Sequence, residues 1–216
     1  MTALIVMAKE PRPGRSKTRL CPPCTPEEAA RLAEAALSDT LEAVSRARVG
    51  RRVLCLDGEP GPWIRDGFEV VPQHGDGLDE RIAAAFAEVG GPAALVGMDT
   101  PQVTPDLLEL ALEALEHTDA SLGMSSDGGW WVMGLRRPDP RTVTGVPMST
   151  DETGRLQRER LAELGLSVTD LPVLRDVDTF DDAVAVAGGI PGSRFAAALA
   201  VSGPLRTPSG SRRRPR

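Results

Sequence analysis

The 216-residue sequence contains no tyrosine, and aromatic residues make up only 3% of it. Ring-stacking chemistry is therefore confined to three tryptophans and four phenylalanines. Lysine is almost missing: Lys9 and Lys17 stand against 23 arginines. Two histidines, His74 and His117, are too few for a histidine-rich metal site. Three cysteines form no disulfide framework and point to a reducing compartment, the cytoplasm. No uncharged apolar run approaches the ~18 residues of a membrane span. Met1-Thr2-Ala3 offers no basic leader, and the first apolar run ends at Lys9, so no signal peptide is expected. Acidic residues stop at Asp182.

The hydrophobic content, 41%, suits a packed fold of one domain at this length. Net charge is −6, unevenly spread. Residues 202–216 hold five arginines and no acid, and read as a disordered basic tail. The remaining 1–201, with 20 basic and 31 acidic residues, is the expected domain. Its acidity argues against nucleic acid as a partner.

Apolar runs alternate with helical periodicity. Thr2–Ala8 reads as a buried strand, followed by a Pro- and Arg-rich loop over 9–25. Thr25-Pro26-Glu27-Glu28 is a capping box, starting a helix that Gly50 is expected to stop. Strands are expected at Val53–Leu56, Phe68–Val71, Ala93–Met98, Ala120–Met124, Trp130–Leu135 and Ser167–Val173. Helices are expected around Leu78–Val89, from Thr104 to about His117, near Gly154–Leu164 and from Thr179. This alternation predicts an α/β domain, a mostly parallel sheet with helices on both faces.

In such sheets, ligands bind outside the carboxyl ends of the strands. The loop after the first strand carries Lys9, Arg12, Arg15, Lys17 and Arg19, with Gly14 among them. Five cations in eleven residues fit a phosphate cradle, the alternative being a solvated basic loop. The spacing is not that of a Walker A loop, and no G-x-G-x-x-G is present. Asp99, directly after a strand, reads either as a turn former or as a ligand of Mg²⁺ or Mn²⁺. Asp176 and Asp178 are two apart and share a face if extended, where a cation would relieve their repulsion. Asp181 and Asp182 are explained by the start of a helix. In Ser125-Ser126-Asp127-Gly128-Gly129-Trp130-Trp131, Asp127 reads as a sugar-hydroxyl ligand or a base, or else as the tip of a hairpin turn. Alternation sends one tryptophan inward. Gln73-His74-Gly75-Asp76-Gly77, before a helix, is a flexible approach to a ligand, with Arg81 just beyond. Cys21-Pro22-Pro23-Cys24 matches C-x-x-C before a helix, where thiols can be acidified, but it lacks a second ligand pair for zinc.

Taken in order, PRPGRSKTRL at 11–20, GMDTP at 97–101, DGGWWVMGL at 127–135, MST at 148–150 and DVDTFDD at 176–182 carry a resemblance. Over about residues 4–190 the chain resembles bacterial GT-A-superfamily transferases labelled as glycosyltransferases of arsenosugar biosynthesis. More distantly it is similar to phospholactate guanylyltransferases, and GxDxP to molybdopterin nucleotidyltransferases. The resemblance implies a single-domain, Rossmann-like nucleotide-diphospho-sugar transferase fold. It implies that Asp99, Asp176 and Asp178 hold Mg²⁺ or Mn²⁺, and that Arg15, Lys17 and Arg19 face donor phosphates. Lys17 and Asp127 are the expected catalytic pair. Lys9, Gly14, Gln73, Arg81, Gly128, Gly129, Trp130, Ser149 and Thr150 are expected to line the substrate site. Departures are Trp130 and Trp131 in place of tyrosines, GMSSDGG in place of GPAEDGG, the CPPC insert and the lack of a standard DxD at the metal strand. The expected activity is metal-dependent transfer from a nucleotide-activated donor, an NDP-sugar, to a small acceptor. The alternatives are nucleotidylyl transfer from an NTP, and a non-catalytic nucleotide-binding role.

Overall fold

The strands are β1 (Ala3–Lys9), β2 (Arg51–Asp57), β3 (Glu69–Pro72), β4 (Ala93–Gly97), β5 (Ala120–Ser125), β6 (Trp130–Leu135) and β7 (Val168–Leu174). The helices are α1 (Pro26–Arg46), α2 (Leu78–Val89), α3 (Pro105–Glu113), α4 (Thr153–Glu163), α5 (Phe180–Gly189) and α6 (Arg194–Ala200). They come from a computed structural model that describes residues 2–205.

One sheet contains all seven strands in the order β3-β2-β1-β4-β6-β5-β7. β1 pairs in parallel with β2 and β4, β2 with β3, and β5 with β7. Only β6 runs antiparallel, between β4 and β5. The chain moves from β1 to β2 on one side and returns to β4 on the other. A crevice therefore opens between the carboxyl ends of β1 and β4, the switch point where open α/β sheets take ligands.

Both faces of the sheet are covered, as the strand composition requires. Leu37, Leu41 and Val44 of α1 and Leu108 and Leu112 of α3 pack with Leu4, Val6 and Trp131 on one face. Ile82 and Phe86 of α2 and Leu161 of α4 pack with Ile5, Leu95 and Met133 on the other. A third layer, with Leu20, Leu32, Val177, Ala183, Phe195 and Leu199, lays α5 and α6 against the outer side of α1. Truncating a fully buried leucine such as Leu37 in this setting costs about 2–5 kcal/mol.

Local signals explain most boundaries. The Thr25 hydroxyl accepts from Glu28 N–H, and the Glu28 carboxylate accepts from Thr25 N–H, closing the expected capping box. α1 stops at Arg46 rather than Gly50. Ala47 turns extended, and the Arg52 guanidinium donates to the Val44 and Ala47 carbonyls, satisfying the open helix end from outside. α3 ends at Glu113 and tightens into a 3₁₀ turn, Ala114–Glu116, before His117. α6 was not anticipated. Ser193 caps it, and Asp39 of α1 accepts from the Phe195 and Arg194 N–H groups, so a tertiary carboxylate serves its start. Residues 202–205 still belong to the fold, with Ser202 buried and donating to the Ala198 carbonyl. The rest of the expected basic tail, 206–216, lies outside the described residues.

Candidate functional site

The loop after β1 is rigid in its middle. The Ser16 hydroxyl donates to the Glu10 carbonyl and accepts from Arg12 N–H, folding residues 10–16 into a tight turn. Gly14 sits at φ +74 and Lys17 at φ 52, both left-handed. A non-glycine residue holds that conformation only where its surroundings over-determine it. For Lys17 they do: its ammonium donates to Asp99 Oδ1 at 2.7 Å and to the Val177 carbonyl, and its side chain is only 8% exposed.

The five cations of this loop are sorted by partner. Lys17 pairs with Asp99, Arg19 with Asp178 at 2.8 Å and Arg12 with Glu10 at 2.6 Å. Lys9 and Arg15 are exposed and make no side-chain hydrogen bond or ion pair among the described residues. Together with Arg12, Ser16, Asp57 and Gly58 they line a cleft of about 80 Å³ at the ends of β1 and β2. Glu10 borders it and is held below the usual carboxylate range, mainly by the Glu59 N–H and then by Arg12.

Three carboxylates meet beside Lys17. Asp99 follows β4, Asp127 lies in the turn between β5 and β6, and Asp176 follows β7. All three loops lie at the carboxyl edge of the sheet. Val177 N–H donates to the Asp99 carbonyl at 3.0 Å, tying the loops after β4 and β7 together. Burial, and then the charges of Asp127 and Asp99, push the Asp176 carboxyl up to about 7. The neighbouring Ser125 hydroxyl and Lys17 ammonium pull the other way. Ser125 stands just outside hydrogen-bond geometry: Ser125 Oγ and Asp176 Oδ1 are both buried and without a partner. Asp178 stands apart from the three, in its ion pair with Arg19. Ser125 and the inward turn of Lys17 were missed by sequence reasoning. A serine at a strand end gives no signal on its own.

The β5–β6 turn is built around Asp127, whose Oδ1 accepts from Gly129 N–H at 2.9 Å. Gly128 has φ +92, and a Cβ there would fall 1.9 Å from the Asp151 carbonyl oxygen. Gly154 N–H donates to the Gly128 carbonyl at 2.8 Å. The DGG and MST segments are thus brought into contact through the start of α4. Ser149 is left-handed at φ 61, and both Ser149 and Thr150 are exposed. Thr150 is engaged with Thr153 at the head of α4. Trp131 is buried and its indole N–H donates to the Pro172 carbonyl. Trp130 is half-buried on the opposite face, packed with the same core as Met124 and Met148.

Gln73 and Arg81 are placed at the ends of β1–β3. Gln73 Nε2 donates to the Ala8 and Cys55 carbonyls at 2.8 and 3.1 Å. Arg81 donates to the Gly75 carbonyl and approaches Asp57 at 3.4 Å. Cys21, Cys24 and Cys55 are all free thiols. The acidification that a helix start can bring does not occur: burial, then Glu27 and Glu28, raise Cys21, burial and Glu28 raise Cys24, and burial pushes Cys55 up to about 11.

Among the described residues, no group of three or more His, Cys, Asp or Glu side chains forms a metal cage. Mg²⁺ needs none, since one or two carboxylates plus substrate phosphates usually hold it. Asp176 Oδ1 is a buried carboxylate oxygen without a partner, near two other acids and offset by Lys17. That donor set is all hard oxygen and fits such an ion. No helix among the described residues is long and apolar enough to cross a membrane.

Comparison with protein families matches residues 40–150 to the family described as uncharacterized protein conserved in bacteria, DUF2064. Among curated proteins no sequence match is found. Similar solved structures include a Desulfovibrio desulfuricans G20 protein, provisionally named a nucleotide-diphospho-sugar transferase. It is 25% identical, with a TM-score of 0.84 over 92% of this chain and 93% of that one. CMP:2-keto-3-deoxy-manno-octonic acid synthetase, solved with CTP, is 12% identical, with a TM-score of 0.59 over 88% and 98%. The Mycobacterium tuberculosis H37Rv protein Rv0371c, solved with manganese, is 22% identical, with a TM-score of 0.51 over 86% and 96%. These likenesses agree with the fold drawn from the strand order: a nucleotide-diphospho-sugar transferase-like α/β domain.

Proposed function

The chain belongs to the DUF2064 family, and from that premise we propose that it is a transferase acting on a nucleotide-activated donor, moving a glycosyl group from an NDP-sugar to a small acceptor. One observation carries this reading: the loops after β1, β4, β5 and β7 bring Lys17, Asp99, Asp127 and Asp176 together at one sheet edge. The likeness to the Desulfovibrio protein, whose provisional name is of this class, supports it.

Lys9 and Arg15 are the cations of this loop that form no ion pair among the described residues, and their cleft suits the diphosphate. Asp99 and Asp176 are the residues that would hold Mg²⁺ or Mn²⁺; the manganese in the Rv0371c protein is in keeping with this. Bound there, the ion would neutralise charge developing on the leaving diphosphate. Lys17 holds Asp99 in place from the other side. Asp127 is exposed beside the acids and takes the acceptor's proton. The acceptor oxygen bonds to the anomeric carbon as the carbon–oxygen bond to the diphosphate breaks, and that electron pair leaves with the diphosphate. Gln73, Arg81, Gly128, Gly129, Trp130, Ser149 and Thr150 rim the site, with Trp130 the ring for the acceptor to stack on. Arg19 and Asp178 serve as a paired outer wall.

A second reading, nucleotidylyl transfer from an NTP with release of pyrophosphate, is favoured by the CTP in the synthetase of similar fold. A thermal-shift panel of NTPs and NDP-sugars, with and without Mg²⁺ or Mn²⁺, separates the two. Stabilisation by NDP-sugars with a divalent ion is expected, and stabilisation by NTPs alone would sink the glycosyl reading. The resemblance to transferases of arsenosugar biosynthesis adds arsenic-bearing sugars to the acceptors worth screening. Failure of every donor to turn over would favour a non-catalytic nucleotide-binding role.

A further inference from the structure

Ser125 is the last residue of β5 and 4% exposed. Its backbone is fully engaged: the N–H donates to the Gly129 carbonyl at 2.9 Å, and its carbonyl accepts from Gly128 N–H at 3.2 Å. Its hydroxyl therefore has a fixed origin and faces Asp176. Six other buried hydroxyls are satisfied. Ser16, Thr40, Ser121, Thr142, Thr153 and Ser202 each donate to a backbone carbonyl. Ser125 Oγ has no partner, and neither has Asp176 Oδ1. Two neighbouring buried oxygens without partners are a poor arrangement for the protein alone. They form a natural arrangement for a ligand that accepts electron pairs from both.

Resting on the cation reading above, we propose that the Ser125 hydroxyl is an oxygen ligand of the divalent ion, bound jointly with Asp176. A neutral hydroxyl oxygen is a hard ligand, suited to Mg²⁺ or Mn²⁺ rather than to soft metals. Serine and threonine hydroxyls hold Mg²⁺ in this way in phosphate-binding loops. Ser125 thus adds a ligand without adding charge to a group that already holds three carboxylates.

The test is titration of the full chain with Mn²⁺ alone, following free Mn²⁺ by electron paramagnetic resonance, alongside melting in EDTA. Ser125→Ala is expected to weaken Mn²⁺ binding about tenfold. Its melting temperature in EDTA should stay close to that of the parent, because no hydrogen bond of full geometry is lost, only the hydroxyl's pull on the Asp176 charge. Ser125→Cys is expected to trade Mn²⁺ affinity for Cd²⁺ affinity. This would appear as a new thiolate–cadmium absorption in the difference spectrum against the parent, which carries Cys21, Cys24 and Cys55. If Ser125→Ala binds Mn²⁺ as the parent does, the assignment is overturned while the cation reading stands. If it melts far lower in EDTA, the hydroxyl is a structural group and the assignment is overturned again. If Ser125→Cys gains no Cd²⁺ affinity, that too counts against it. If the parent binds no Mn²⁺, the cation reading itself falls.

Discussion

The basic loop splits at Ser16 into two halves of opposite design. Before it, Arg12 pairs with Glu10, while Lys9 and Arg15 line a small cleft shared with Glu10 and Asp57 and form no ion pair among the described residues. After it, Lys17 and Arg19 are each held by an aspartate, and Lys17 is almost buried. The same charge in one short segment therefore does two jobs. In the first half two of the three cations stay unpaired, which leaves them for the proposed anion. The second half is an internal counter-ion that lets acids gather where they would otherwise repel. Total charge in a motif says little about ligand binding until the partners are assigned.

The largest effect should come from the acid side of that divide. Asp99→Ala removes a proposed ion ligand and leaves the Lys17 ammonium with the Val177 carbonyl as its remaining partner. Turnover should fall by about 10³-fold, measured as kcat/KM with the best donor. Loss confined to KM would break the comparison, because it would make Asp99 a mere binding residue.

Stability against pH sharpens the same point. The Asp176 carboxyl is raised from 3.8 to about 7 in the fold, chiefly by burial. Above 7 it must ionise in the folded chain at a cost; below about 4 it is neutral in both states and costs nothing. In EDTA, Asp176→Asn should therefore be more stable than the parent above pH 7, by up to about 4 kcal/mol. The advantage should shrink steadily as pH falls from 7 to 4. Denaturant melts at pH 5 and 8 check it, and equal differences at both pH values would count against the clustered acids.

Lys17→Arg comes next. A planar fork does not fit a left-handed, nearly buried position that a compact ammonium fills, so kcat should drop about 10²-fold. Unchanged turnover would make the rarity of lysine mere composition. Arg15→Ala, on the open half, should raise the donor KM about tenfold and leave the melting temperature alone. A fall in melting temperature would show that the open half is also structural. Smallest of all, Cys21→Ser should leave turnover unchanged, because burial keeps that thiol protonated.

Much of the frame was legible because its signals are local. The capping box at Thr25 and Glu28, the buried run Ala93–Gly97 ending near Asp99, and the Asp127-Gly128-Gly129 turn each declare themselves within a few residues. α6 escaped although Phe195 and Leu199 stand one helical turn apart, because its start depends on Asp39, far away in the chain. The end of α1 was misplaced for a similar reason: Arg52 closes it from the next strand. At the site, the edge positions of Lys17, Asp99 and Asp176 followed from strand order. Their pairing did not. That Lys17 turns inward, that Arg19 takes Asp178, and that Ser125 faces Asp176 are all contacts between segments more than fifty residues apart. Spacing along a chain carries no record of such contacts.

The central claim is that the acids beside Lys17 and the free cations of the open cleft serve one donor together, through a divalent ion. Calorimetric titration of the best-stabilising NDP-sugar into the parent chain, with Mn²⁺ and then with EDTA, tests it most directly. Donor binding is expected with Mn²⁺, with loss of that binding in EDTA and the same loss in Asp176→Asn with Mn²⁺ present. Equal donor affinity under all three conditions would contradict it.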